Sequence, residues 1–229
     1  MSNKIVTTTK CVAYEHPEFT LVFDASVPQT DIDVLTSFLE ESVAEGTRYN
    51  EGDLITVGSM LFRVARIDER FVIEEPNLLS LPIEWRQGVT RTMQLLRLQK
   101  DIAESVGLED QIDPPSVRCS LLVGADLSQQ DEEFVLDRMK ASDCDSGWFV
   151  GRQDSELNYD DEANLKRISV YQALLDWPNI GGFLALPAGC RVEVSGRKQR
   201  LTRNGRNLEI RSGSFLDSLD KNRHVNESH

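Results

Sequence analysis

The Pro114–Pro115 pair is the strongest single constraint on how this chain folds. Consecutive prolines remove two backbone donors and push the residue before them out of helical conformation. They sit in the polar stretch EDQIDPPS, residues 109–116, near the middle of 229 residues. Each side carries its own succession of short strand-like and helix-like segments, and the length suffices for two domains of ordinary size. The expectation is α+β: two small mixed domains, each a short, mostly antiparallel sheet with packed helices. The first spans residues 1–112 and has no assigned family; the second spans 117–212; a flexible polar tail occupies 213–229.

In the first half, FTLVF at 19–23 has strand composition. Thr30 and Asp33 fit a capping box ahead of a helix whose apolar face is Ile32, Leu35, Phe38, Leu39 and Val43, with Gly46 as its stop. Leu54–Val57 and Met60–Ile67, divided by Gly58 and Ser59, predict a hairpin, and Phe71–Ile73 a further short strand. A long helix is expected over Glu84–Val106, its Met93 and leucine stripe facing a core.

In the second half, Val117–Val123 predicts a strand. Ser128 and the acids after it predict a short helix over Gln129–Lys140, with Phe134, Val135 and Met139 inward. DSGWFVG at 145–151 reads as a turn entering a strand. Ser169 caps a helix through Trp177, which Pro178 ends, and Phe183–Leu186 and Arg191–Val194 read as strands around Pro187-Ala188-Gly189.

Charge narrows function. The chain has 38 Asp+Glu against 25 Lys+Arg, a net charge of -13. Such a surface repels nucleic acid and anionic membrane and attracts basic partners. The acids concentrate between Asp101 and Glu162, with 17 acids to 4 bases, while Arg191–Arg211 has 7 bases to 2 acids. That basic segment either pairs with the acidic middle or adds a second contact zone. The opening MSNKIVTTTK lacks a signal-peptide core, and no apolar run approaches the ~18–20 residues of a membrane span. Cys11, Cys119, Cys144 and Cys190 stand far apart, without metal or redox spacing. A cytoplasmic protein with reduced thiols is expected.

Familiar catalytic patterns are missing. The histidines are His16, His224 and His229, none near a cysteine, and there is no HExxH, GxGxxG or GxxxxGK[ST]. Asp143, Asp145 and Asp154 fall at positions 1, 3 and 12 of a calcium loop. However, Trp148 occupies the sharp-turn glycine's place and Asp154 that of the bidentate Glu. No metal and no cofactor are expected. A carboxylate-using hydrolase and a non-catalytic regulatory or scaffold protein stay open as alternatives, since any two acids can converge.

Residues 143–196 carry an ordered series: Asp145-Ser146-Gly147-Trp148, an acid at Asp154 or Glu156, Tyr159-Asp160-Asp161, Asn164, the helix Ser169–Leu175, Pro178, Leu184–Pro187 and Gly189. Over about residues 117–196 this series resembles family thirty-three of the bacterial immunity proteins of polymorphic-toxin systems. Two elements depart from the family pattern. Arg152-Gln153-Asp154-Ser155-Glu156 stands where members often have Gly-Asp-Glu, and Lys140-Ala141-Ser142-Asp143 where they tend to have Arg-Glu.

The resemblance implies a non-enzymatic antitoxin that binds a cognate protein toxin delivered by a neighbouring cell or made by its own. Toxins that act on nucleic acid present Lys and Arg to phosphates, so a nuclease with a basic surface fits an acidic inhibitor. Candidate partner-binding residues are Asp143, Asp145, Trp148, Asp154, Glu156, Tyr159, Asp160, Asp161 and Glu162. Several have a plainer structural reading beside this one: Trp148 as core, Asp145 as a turn or cap, and Asp160–Glu162 as a solvated face.

Overall fold

The computed structural model describes residues 3–196 and 198–219. They form two compact units, divided between Arg97 and Leu98. The architecture is α+β, as the sequence implies.

The first unit is built from β1 (Asn3–Thr7), β2 (Phe19–Asp24), α1 (Gln29–Ala44), β3 (Leu54–Val57), β4 (Met60–Ile67), β5 (Arg70–Pro76), β6 (Trp85–Gln87) and the first half of α2 (Thr90–Ser105). Its sheet runs β1-β2-β5-β4-β3 with β6 on β5, antiparallel except for β2 against β5. Phe19, Leu21 and Phe23 alternate inward from β2 and meet Ile32, Leu35, Leu39 and Val43 of α1 together with Val89 and Met93. His16 belongs to this core. Its ring packs among Phe19, Tyr49 and Phe71, and its Nε2 accepts the Tyr49 N–H at 3.1 Å.

Local details differ from expectation. Helix α1 begins at Gln29 with Pro28 as its N-cap residue, so Thr30 is inside the helix and caps nothing; Asp33 instead accepts from Gln29 Nε2. Helix α2 begins at Thr90 rather than Glu84. Gly88, at φ +126°, breaks the chain between β6 and the helix.

The second unit begins in the latter half of α2. It continues through β7 (Ser120–Gly124), β8 (Glu133–Arg138), β9 (Asp145–Arg152), β10 (Leu165–Ser169), α3 (Val170–Asp176), β11 (Cys190–Ser195), β12 (Lys198–Arg203) and β13 (Arg206–Asn207). Its sheet order is β10-β7-β9-β8-β11-β12-β13, antiparallel except for β7 against β9. Ser169 caps α3, accepting the Gln172 N–H at 3.0 Å.

Three expectations are corrected here. The helix expected over Gln129–Lys140 is strand β8. Phe134, Leu136 and Arg138 lie on its core side and Val135 and Asp137 on the other, so burial on both faces hides the two-residue period. Ser128 caps no helix; its N–H bonds the Asp131 carboxylate in a turn. The strand expected over Phe183–Leu186 is the end of a 3-10 run, Pro178–Phe183, and the turn after it. The tail is folded as far as it is described. Residues 215–219 are helical, Leu216 is buried, and its N–H bonds Ser105 Oγ. The rest of the expected tail, with His224 and His229, lies outside the described residues.

One face of the second sheet is core: Leu121, Val123, Phe134, Leu136, Trp148, Val150, Val192, Val194 and Leu201 are buried. Against the 3-10 run, Gly182 admits the side chains of Leu98 and Ile102, and Gln99 Nε2 donates to the Gly181 carbonyl. The latter half of α2 is thus part of this core.

Candidate functional site

The DSGW motif is a distortion built into β9. Between Ser120↔Asp145 and Leu122↔Phe149, β7 advances two residues while β9 advances four. The surplus is held by local bonds: Asp145 Oδ1 accepts the Gly147 N–H at 2.8 Å and Ser146 Oγ accepts the Trp148 N–H at 3.1 Å. Gly147 adopts φ +73°, and a Cβ there would run into the Met139 carbonyl. The bulge turns Trp148 inward. It is 1% exposed, donates from Nε1 to the Leu184 carbonyl at 3.0 Å, and carries the Arg138 guanidinium over its ring at 5.4 Å. Trp148 therefore holds the core and presents no surface to a partner.

Asp145 pairs with Arg167 across the sheet. Partial burial pushes its carboxyl up. The Arg167 guanidinium and the Gly147 N–H outweigh that and hold it below the ordinary carboxylate range.

On the face opposite the core, Leu122, Phe149, Asp137 and Arg191 form a row across β7, β9, β8 and β11. Beside them stand Gly124, Gly151, Val135 and Glu193. The two glycines leave the backbone bare, and the ring of Tyr159 fills that space. A Cβ at Gly124 would fall 2.6 Å from the ring, and one at Gly151 2.8 Å from it. Phe149 meets Tyr159 edge-on at 5.0 Å between centroids.

Asp126 then anchors the segment 153–164 from below. Its Oδ1 accepts the Tyr159 hydroxyl and its Oδ2 the Ser155 hydroxyl, both at 2.7 Å, and Tyr159 Oη accepts the Arg152 N–H at 3.1 Å. Burial pushes the Asp126 carboxyl up, but these two hydroxyls hold it down on balance. The segment is closed on itself as well. Asn158 Oδ1 accepts the Asp160 N–H, Asp161 Oδ1 the Ala163 N–H, and Asn164 Nδ2 donates to the Asn158 carbonyl.

The result is a prefolded loop bearing acids. Asp154, Glu156, Asp160 and Glu162 are exposed, and among the described residues none has an ion pair or a hydrogen bond to its carboxylate. Asp161 is exposed but spends one oxygen on its turn. Asp143 lies apart, exposed in the turn before β9 at φ +47°. Of the residues singled out from the sequence, Asp154, Glu156, Tyr159, Asp160, Asp161 and Glu162 come together on this loop. Asp145 and Trp148 serve the bulge and the core.

Beside the loop, the bare sheet face forms a groove of about 570 Å³. Leu122, Val135 and Phe149 line its apolar part and Leu157, Tyr159 and Asp160 its loop side. Asp137 and Arg191 also line it, joined by an ion pair at 2.6 Å, and Arg191 Nε reaches Glu193 at 3.1 Å. Burial raises the Asp137 carboxyl; Arg191 opposes the rise and Glu193 adds to it. Asp126, Asp137 and Phe149 escape sequence reasoning. The available signal was glycine in two neighbouring strands, Gly124 and Gly151, which marks a close approach.

The basic segment is largely engaged. Arg191 holds Asp137 and Glu193, Arg200 holds Glu193 at 3.6 Å and Asn207, Arg203 holds Gln111, and Arg211 holds Glu109. Arg197 lies outside the described residues. No group of three or more His, Cys, Asp or Glu able to hold a metal occurs among the described residues. Cys11 and Cys190 are buried free thiols, Cys119 is half-buried and Cys144 exposed.

The site is thus an acid-bearing loop beside an open, partly apolar sheet face. In comparison with known families, the model of the Imm33-like domain matches residues 98–201, within the second unit. The match starts where the second compact unit starts and takes in the latter half of α2. No curated protein and no solved structure matches the chain.

Proposed function

We propose that this protein neutralises a cognate protein toxin by laying the acidic loop 153–164 on the toxin's basic working surface. The supporting observation is the set of carboxylates Asp154, Glu156, Asp160 and Glu162, unpaired among the described residues on a loop that Asp126 and Tyr159 hold in place. Exposed charges of one sign on a prefolded segment accelerate encounter with the opposite sign and lose little entropy on docking. A surface that binds nucleic-acid phosphates offers that opposite sign, so a nuclease toxin fits best. The same charge repels nucleic acid and anionic lipid. Among the described residues no helix is long and apolar enough to cross a membrane. Action in the cytoplasm, where such a toxin meets its substrate, completes the reading.

The test is association kinetics between the protein and a candidate toxin encoded beside it. Replacing Asp154, Glu156, Asp160 and Asp161 with their amides should cut the association rate about tenfold or more at low salt and flatten its salt dependence. Unchanged kinetics would refute this placement of the contact.

A second reading, a carboxylate-using hydrolase, draws on the raised Asp137 carboxyl in the groove. Turnover of a substrate by the purified protein would put it first.

A further inference from the structure

The groove beside the loop is more specific than a charged face requires. Its volume, about 570 Å³, falls in the range of roughly 300–1,000 Å³ typical of sites that enclose a bound group. Its apolar part is Leu122, Val135 and Phe149. The rings of Phe149 and Tyr159 and the carboxylates of Asp137 and Asp160 line the same space.

Asp137 is held by Arg191 through Oδ2, and among the described residues its Oδ1 accepts no hydrogen bond. Each of the three arginines that line the groove has a carboxylate near it. Arg191 is shared between Asp137 and Glu193. Arg152 lies 3.9 Å from Asp131. Arg138 belongs to the core face, its guanidinium over Trp148 and bonded to Asp113 at 3.1 Å.

We propose that this groove receives an arginine side chain of the partner protein, its stem along Leu122, Val135 and Phe149 and its guanidinium at Asp137 and Asp160. Guanidinium is weakly hydrated, stacks on aromatic faces and donates in a planar fork to carboxylates, which matches this lining better than a compact ammonium does. The acidic loop would then govern encounter and the groove would govern residence. The inference rests on reading this face as the toxin-binding surface, but its test needs no toxin.

The full chain is titrated with N-acetyl-arginine amide and with its citrulline counterpart, which has the same shape and no charge, followed by amide chemical shifts. The expected result is saturable shifts at Leu122, Asp137 and Phe149. The arginine probe should bind about tenfold or more tighter than citrulline, the margin of a hydrogen bond to a charged group. Asp137→Asn should abolish that margin while leaving the unfolding temperature and the remaining spectrum as in the wild type. Should Asp137→Asn misfold, Phe149→Leu keeps the apolar lining, removes the aromatic face and should weaken arginine binding severalfold.

Equal affinity for the two probes, binding undiminished in both variants, or no shift at these residues overturns the proposal. Arginine binding in a protein that gives no protection against toxin would instead sink the immunity reading and leave the groove assigned.

Discussion

A methyl group added at Gly124 tests how the acidic loop is held. The backbone there is ordinary strand, so alanine meets no conformational obstacle. The obstacle is the Tyr159 ring, 2.6 Å from the new Cβ. Normal carbon contacts lie near 3.5–4.0 Å, so the ring must retreat by about 1 Å. It cannot retreat freely, because its hydroxyl is bonded to Asp126 at 2.7 Å and to the Arg152 N–H at 3.1 Å.

Overpacking of this kind costs about 1–3 kcal/mol. The same substitution in a strand without a clash gains about 0.5–1 kcal/mol, since glycine loses the most backbone entropy on folding. Gly124→Ala alone should therefore destabilise by about 1 kcal/mol in urea unfolding, within a range of about 0–2.5, the clash less that gain. In a Tyr159→Ala background it should become neutral or slightly stabilising. The difference between the two backgrounds is the coupling between Gly124 and the ring. Hydrogen exchange should show faster exchange over residues 153–164 in Gly124→Ala and little change in the sheet. An equal cost in both backgrounds would refute the placement of Tyr159 on the glycines.

Other predictions concern the bulge and core that carry the site. Trp148→Ala should cost about 3–5 kcal/mol in denaturant unfolding, with loss of the Leu184 hydrogen bond included; a cost under about 1 kcal/mol would place the indole outside the core. Gly147→Ala meets both a left-handed backbone and the Met139 carbonyl, and should cost about 2 kcal/mol or more; a thermal melt matching the wild type would contradict the bulge geometry. Asp145 is held below its ordinary value of 3.8, so its pairing with Arg167 stabilises above that pH and is lost as pH falls through the lower folded value. Arg167→Ala should accordingly lower stability at pH 7 and lower it progressively less as pH falls below 3.8; a loss that does not change with pH would show that the ion pair is not the cause.

Much of this is legible in the amino-acid sequence. The β3–β4 hairpin, α1, the Ser169 cap and the DSGW turn entering a strand follow from local chemistry: glycine at turns, a hydroxyl at a helix start, apolar residues at helical spacing. The acidic loop was legible too, because Asp154–Glu162 concentrate charge that no core could accept. Strand β8 was not, since Val135 is buried on the groove face as well as Phe134 and Leu136 on the core face, so its two-residue period vanishes. Asp137 and Asp126 were hidden for a different reason. Their roles depend on Arg191, 54 residues away, and Tyr159, 33 away, partners that only the sheet order brings near. Trp148 shows the reverse case, an aromatic beside acids that the bulge aims into the core.

Survival of bacteria producing a candidate toxin encoded beside this chain tests the proposed neutralisation directly. Cells that also make this protein should grow, cells that make the variant lacking the Asp154, Glu156, Asp160 and Asp161 carboxylates should grow poorly at equal protein level, and the wild type should co-purify with the toxin. Death of toxin-producing cells regardless of this protein would contradict it.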